Sequence, residues 1–240
     1  YLSDGLKDGA RVPKRDAPQH DLEVVALGEG RVTLRMTPES DEGGHWTKEG
    51  IWGLSRDAGY DQVRAILEIG DQHVVREFFP ITDNLKVGEK VRLDSFTFPG
   101  DPQTALGLPF EEVSFASPSG DFPAWFVDGP RDTWAIFVHG KGADRREALR
   151  MLPTVAELGL PSLIITYRND AGLPANPDGF YRYGQTEWED LEGAVTYALG
   201  HGAKDIVLVG YSMGGAIVAN FLYKSPLAER VKGAILDAPM

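Results

Sequence analysis

A serine between glycines follows an aliphatic run near the C-terminal end of the chain. The run covers residues 206–209, and the motif Gly-Tyr-Ser-Met-Gly follows at residues 210–214. The run predicts a buried strand, and the apolar spacing over residues 213–224 predicts a helix. A serine on such a sharp strand-to-helix turn projects from the end of a sheet, where its hydroxyl can attack a carbonyl carbon. The pattern therefore predicts a nucleophile, Ser212, at the edge of an α/β sheet.

The chain around this motif alternates between strand and helix patterns. Further apolar runs at residues 134–138, 163–167 and 234–236 predict strands, and helical spacing predicts helices at residues 145–158 and 187–199. This alternation predicts a doubly wound, mostly parallel sheet. Ligands of such sheets bind at the carboxyl ends of the strands. Four polar residues directly follow strand ends and mark a candidate site there: His139, Arg168, Ser212 and Asp237.

The N-terminal part of the chain has a different pattern. Residues 1–20 are polar and charged and predict an extended leader. Residues 21–105 contain short strand-like runs separated by turn residues, which predicts a small β-rich domain. The breaker cluster at residues 99–102 is a candidate linker. The α/β region is then assigned to residues 106–240.

Composition excludes several classes of function. A formal net charge of −12 argues against a nucleic-acid partner. The absence of cysteine excludes disulfides, thiolate metal sites and a cysteine nucleophile. No histidine or carboxylate spacing predicts a metal site, and no glycine motif predicts a nucleotide cofactor, so neither is expected.

The sequence does not predict a compartment. No apolar run approaches the ~20 residues that span a bilayer. Residue 1 is Tyr and not Met. The sequence is therefore compatible with an N-terminal leader or membrane anchor that has been removed.

Residues 111–240 resemble the first part of an α/β-hydrolase. The resemblance rests on two motifs in order: residues 139–142, His-Gly-Lys-Gly, after the strand at 134–138, and residues 210–214 after the strand at 206–209. It extends to esterase, lipase and peptidase-like members in general. Residues 1–105 contribute nothing to it.

The resemblance implies a serine hydrolase that transfers an acyl group to water through Ser212. The backbone N–H of Met213 would be one oxyanion donor, and that of Lys141 the second. Such donors each contribute roughly 3–4 kcal/mol to stabilising the tetrahedral intermediate. Small ester substrates are favoured over amides because esterases dominate such resemblances.

The resemblance also implies an acid and then a histidine after Ser212, followed by further strands. All five histidines precede Ser212. We therefore expect an incomplete hydrolase core whose acid and histidine come from a clipped or absent C-terminal segment or from a second polypeptide. A non-catalytic fragment or binding module of the same fold remains an alternative, and so does an acyltransferase.

Several residues have two open interpretations. Asp237 is a candidate catalytic acid or a carboxylate that bonds local backbone at a strand end. Arg168 and Tyr181 could line the substrate pocket, or belong to a salt-bridged turn and to packing over the sheet, respectively. His139 is expected to support its loop rather than act as the base.

Overall fold

The computed structural model describes residues 20–38, 45–82 and 84–240. These residues form two compact units, one ending at Gly100 and the other beginning at Asp101. The division falls within the predicted linker at residues 99–102, slightly before the predicted boundary at residue 105. Apart from His20, the predicted leader at residues 1–20 lies outside the described residues. The assignment of two domains stays a prediction.

The first unit is a closed barrel of six antiparallel strands. Alternate side chains of each strand point inward, so that Leu22, Val24, Val32 and Leu34 are almost fully buried in its core. Pairing of β1 with β6 closes the barrel and leaves no open edge. Its elements are β1 (Leu22–Gly28), β2 (Arg31–Met36), a 3₁₀ helix (His45–Thr47), β3 (Trp52–Arg56), β4 (Gly59–Ile69), β5 (His73–Phe79) and β6 (Lys90–Asp94).

The second unit contains a six-stranded sheet in the order β12-β11-β9-β10-β8-β7. Strands β12, β11, β9 and β10 pair in parallel, and β8 runs antiparallel to both β10 and β7. The strands are β7 (Glu111–Ser117), β8 (Gly120–Val127), β9 (Thr133–Val138), β10 (Ser162–Ile165), β11 (Asp205–Tyr211) and β12 (Val231–Asp237). The mostly parallel pairing agrees with the alternating sequence pattern.

Four α-helices and two 3₁₀ helices accompany this sheet in the described residues: α1 (Pro102–Leu106), 3₁₀ (Arg145–Arg150), α2 (Leu152–Glu157), α3 (Trp188–Gly200), α4 (Met213–Lys224) and 3₁₀ (Pro226–Arg230). The helix predicted at residues 145–158 is divided into two segments, the first 3₁₀ helix and α2. Pro153 lies in the first turn of α2, where its missing N–H costs no helical hydrogen bond. None of the helices in the described ranges is long and apolar enough to span a membrane.

Helices α3 and α4 pack with the sheet in one hydrophobic cluster that includes Ile136, Leu191 and Ile217. Strand β9 is buried at every position after Thr133, as its continuous apolar sequence predicts. The doubly wound arrangement, with helices on both faces, stays a prediction.

Strand β12 is an edge strand of the sheet, and among the described residues it pairs only with β11. Its sequence is typical of a buried parallel strand. Nevertheless Ile235 is 43% exposed and Leu236 is 41% exposed. Because these neighbours point to opposite faces of the strand, both faces of β12 are open to solvent at this end.

Candidate functional site

Ser212 occupies a strained turn between β11 and α4. Its φ of 47° and ψ of −112° are uncommon for a residue other than glycine. Three hydrogen bonds hold this conformation: the Ser212 N–H donates to the Asp237 carbonyl at 2.9 Å, and the Ser212 carbonyl accepts from the N–H groups of Gly215 at 2.9 Å and of Met240 at 3.2 Å. The neighbouring strand β12 therefore stabilises the turn that presents the serine.

The glycines around Ser212 are required by close backbone contacts. A Cβ atom on Gly210 would lie 2.7 Å from the Gly214 carbonyl oxygen, and one on Gly214 would lie 2.1 Å from the Val138 carbonyl oxygen. A Cβ on Gly215 would lie 2.7 Å from a Pro239 side-chain atom. The motif therefore lets β9, β11 and α4 approach one another at the turn.

The Ser212 side chain is half-buried, and its hydroxyl forms no hydrogen bond with any residue that the structure describes. Met213 follows it as the first residue of α4 and is fully buried. The start of a helix carries a partial positive charge and unpaired N–H groups. The environment of the hydroxyl therefore favours negative charge close to Ser212.

The loop after β9 lies directly beside Ser212. A Cβ on Gly140 would be 3.2 Å from the Ser212 Cβ. The Tyr167 hydroxyl donates to the His139 carbonyl at 2.9 Å, and the Gly140 N–H donates to the Glu147 carboxylate at 2.7 Å. These contacts hold the backbone that leads into Lys141.

Lys141 itself has an exposed side chain whose Nζ lies 5.8 Å from the centre of the Tyr183 ring. The Gly140 N–H is bonded to Glu147 and is therefore not available to a ligand at Ser212. The oxyanion roles of Lys141 and Met213 stay predictions.

His139 supports this loop. Its ring is 3% exposed and stacks on Tyr167 with 4.4 Å between ring centres. Its Nδ1 lies 2.9 Å from the Gly140 carbonyl oxygen and its Nε2 lies 2.9 Å from the Asp170 carboxylate. Since both nitrogens face acceptor oxygens, both donate when the ring is an imidazolium. Neither nitrogen is directed to the Ser212 hydroxyl, in agreement with the expected supporting role.

The charge of His139 depends on Asp170. Burial by itself lowers the pKa of His139, but the Asp170 carboxylate, together with the Gly140 carbonyl and the charge of Asp144, raises it, and the pKa lies above its ordinary value of 6.5. Asp170 also accepts the Tyr167 N–H at 3.2 Å. The charged pair thus ties the loop after β9 to the loop after β10.

Asp237 lies at the end of β12, in register with Tyr211 of β11. Its carboxylate is half exposed, and its Oδ2 lies 3.7 Å from an Arg150 nitrogen. Its backbone carbonyl is the acceptor for Ser212 described above. The residue therefore adjoins the site, and the role of its carboxylate as catalytic acid stays a prediction.

Arg168 belongs to a buried ion-pair cluster. Its Nε and Nη2 each donate to Asp190 at 2.8 Å, and Nη2 also donates to Glu189 at 2.9 Å. Arg168 is 6% exposed and Asp190 is fully buried. Burial lowers the pKa of Arg168, but these carboxylates outweigh burial and raise it. The salt-bridged alternative accounts for this arginine without a ligand.

Tyr181 is 4% exposed and belongs to the hydrophobic core, whereas Tyr183 is partly exposed near Lys141. Tyr183 has an unusual φ of 49°. Buried Glu187 accepts the flanking N–H groups of Arg182 at 2.7 Å and of Gly184 at 3.0 Å. The packing alternative accounts for Tyr181, and Tyr183 is the tyrosine beside the candidate oxyanion loop.

Sequence reasoning did not identify Glu147 or Glu187. Both carboxylates accept backbone N–H groups, Glu147 that of Gly140 and Glu187 those of Arg182 and Gly184, and no local motif signals such contacts. In the described residues, no group of three or more histidine and carboxylate side chains is arranged to hold a metal ion.

No protein-family model matches the chain, and no curated protein matches it. Solved structures match part of it. The Pyrococcus furiosus esterase Pf2001 superposes with a TM-score of 0.50 and 20% identity, over 59% of this chain and 54% of that chain. The α/β hydrolase from Vibrio vulnificus superposes with a TM-score of 0.46 and 23% identity, over 55% of this chain and 46% of that chain.

The chain thus spans about half the length of the solved structures it matches. The superposition with a TM-score of 0.50 indicates a similar fold, and an identity of 20% leaves activity open. The strand order, the single antiparallel strand between β10 and β7, and the turn at Ser212 agree with that fold. Over part of its length, the chain has the fold of the α/β-hydrolase superfamily.

Proposed function

We propose that the chain is the core of a serine hydrolase that acts on carboxylic esters through an acyl-Ser212 intermediate, once a general base and its acid are supplied. The strained Ser212 turn beside the Gly140 loop is the observation that carries the proposal. Such strain persists only where surrounding contacts hold it, and it is concentrated at functional sites.

In the proposed reaction, the Ser212 Oγ attacks the carbonyl carbon of the ester and its proton passes to the base. The carbonyl oxygen becomes an oxyanion that accepts hydrogen bonds from the N–H groups of Met213 and Lys141. When this tetrahedral intermediate collapses, the alcohol departs with the proton from the base, and the acyl group stays bonded to Ser212. A water molecule then attacks the acyl carbon, releases the carboxylic acid and restores the serine.

The base has to come from outside the described surroundings of Ser212, because both nitrogens of His139 are engaged. We propose a segment carrying an acid and a histidine, contributed by a C-terminal continuation or a second polypeptide. The exposed apolar residues Ile235 and Leu236 support this proposal, since a further strand beside β12 would cover them.

The proposal includes a doubly wound sheet. Trp134, Ile136 and Val138 of β9 pack in the cluster of α3 and α4. Alternate residues Ala135 and Phe137 are equally buried and face the opposite side. This burial supports a second layer over that face.

A fluorophosphonate probe tests the nucleophile. The protein expressed from its full reading frame, with any second polypeptide present, should be labelled at Ser212, and Ser212→Ala should abolish labelling. Ser95→Ala, at an exposed serine of the barrel unit, is the matched control and should be labelled like wild type. Labelling that survives Ser212→Ala would refute the assignment. The 240-residue chain alone should hydrolyse aryl esters slowly, because both nitrogens of His139, the histidine of the described loop beside Ser212, are engaged.

Two alternatives share the fold. An acyltransferase would use the same nucleophile, and product analysis with alcohol or amine acceptors separates it from a hydrolase. A non-catalytic binding module is favoured by the engagement of both His139 nitrogens. An acid followed by a histidine in the reading frame after residue 240 would support the enzyme, and a stop codon there, with no partner polypeptide, would support the binding module.

A further inference from the structure

A cavity of about 390 Å³ lies at the opposite end of the sheet from Ser212. It is bordered by Trp134 near the start of β9, by Pro161 directly before β10 and by Gly202 before β11. Ser212 follows the far end of β11, a strand of seven residues that spans about 20 Å. The cavity is therefore separate from the candidate active site, and its volume is within the range of small-molecule sites.

Two pairs of stacked rings line this cavity. Phe126 and Trp134 have ring centres 4.8 Å apart, and Tyr197 and His201 have ring centres 3.9 Å apart. Aromatic faces carry negative potential and attract cations. The lining therefore suits a ligand with an apolar body, a positive charge or both.

Carboxylates dominate the charge around the rings. Glu111, Asp128 and Asp132 border the cavity, with Arg131 as the one Lys or Arg among its lining residues. Asp132 is paired with Lys204 at 2.8 Å, and Asp128 accepts the Gly129 N–H at 2.7 Å. The Glu111 side chain is exposed, and its carboxylate forms no hydrogen bond or salt bridge with any residue in the described ranges.

The charge of Glu111 acts on the aromatic part of the lining. Glu111 and Tyr197 both line the cavity. Burial raises the pKa of the Tyr197 hydroxyl, and the Glu111 carboxylate raises it further. Glu111 also pairs with Phe126 across strands β7 and β8. One carboxylate therefore adjoins a ring of each stacked pair.

Helix α3 ends at the same cavity. Its last residues supply Tyr197, and His201 follows as the C-cap. The C-terminal end of a helix carries a partial negative charge that a cation stabilises, and the last turn of α3 contains no basic residue. The helix end and the carboxylates thus favour the same sign of ligand charge.

We propose that this cavity binds a small organic ammonium ion that carries an aromatic or other apolar body. The rings would contact the apolar body and the cation, and Glu111 with the α3 terminus would balance the charge. The site is independent of the chemistry proposed for Ser212.

Benzyltrimethylammonium is a suitable probe because it presents a cation and a ring but donates no N–H hydrogen bond. Calorimetric titration of the 240-residue chain should detect saturable binding, and the neutral analogue benzyl alcohol should bind at least several-fold more weakly. Tyr197→Leu and Glu111→Gln should each weaken binding about threefold to tenfold. Tyr197→Phe keeps the ring and should bind like wild type.

The matched controls are a Tyr→Leu and a Glu→Gln substitution at positions of the second unit that do not line the cavity. Tyr223→Leu alters a tyrosine that is 90% exposed on α4, and Glu157→Gln alters an exposed carboxylate of α2. Neither should change binding, and thermal unfolding should confirm that every variant is folded. Absence of saturable binding, equal affinity for benzyl alcohol, or equal weakening by the controls would overturn the proposal.

Discussion

Ser212 keeps a backbone conformation that its side chain disfavours, because three segments distant in sequence hold it. The Asp237 carbonyl accepts its N–H, and Gly140 approaches its Cβ from the loop after β9. Glu147 in turn fixes the Gly140 N–H. At the scale of the residue, the conformation of Ser212 therefore depends on hydrogen bonds made by neighbours that do not bond its hydroxyl.

The His139–Asp170 pair predicts a pH-dependent contribution to stability. A folded-state pKa raised above 6.5 means that the folded protein holds the proton more tightly than the unfolded chain. The stabilisation is fully present below pH 6.5 and is lost as pH rises through the raised pKa. Urea unfolding of wild type and His139→Gln between about pH 5 and 9 should therefore show a free-energy difference that decreases with rising pH.

A difference between wild type and His139→Gln that stays constant, or that grows with pH, would contradict a charged His139 in the folded protein.

At the scale of the element, the junction of β9, β11 and α4 depends on glycine. Gly214→Ala would bring a Cβ to 2.1 Å from the Val138 carbonyl oxygen, which is backbone and cannot rotate away. We expect a loss of about 1–3 kcal/mol or more in the free energy of unfolding, measured by urea denaturation. Probe labelling of Ser212 should fall as well, because α4 has to shift.

Gly233→Ala is the matched control, since a Cβ on Gly233 in β12 would meet no atom within 4 Å. Its effect on unfolding should stay within about 0.5 kcal/mol. Equal effects of the two substitutions would indicate that the contact between Gly214 and Val138 does not limit the junction.

At the scale of the whole molecule, the open face of β12 predicts association. Exposed edges with apolar residues pair with other chains, and Ile235 and Leu236 supply such an edge. Sedimentation of the 240-residue chain should reveal concentration-dependent association that Ile235→Lys reduces. Leu222→Lys, at a residue 38% exposed on α4, should reduce it less. A monomer at all concentrations would contradict a role of β12 in association.

Local patterns were sufficient to predict the elements around Ser212. The strand at β11, the turn and helix α4 follow from hydrophobic periodicity and glycine placement, which depend on residues close in sequence. Proline acts over the same short range: Pro153 lies in the first turn of α2, where the helical pattern at residues 145–158 divides into two segments.

Tertiary structure determines which residues distant in sequence pair with one another. The sequence pattern of residues 21–105 predicts short β-strands. Their closure into a barrel depends on the pairing of β1 with β6, in which Leu22 is opposite Val91. From sequence, Arg168 is equally compatible with a substrate pocket and with an ion pair. In the structure, its guanidinium donates hydrogen bonds to Asp190, which belongs to another element. Periodicity and turn chemistry act over a few residues and can be read along the chain, whereas the partner of a buried charge is chosen by packing across the fold.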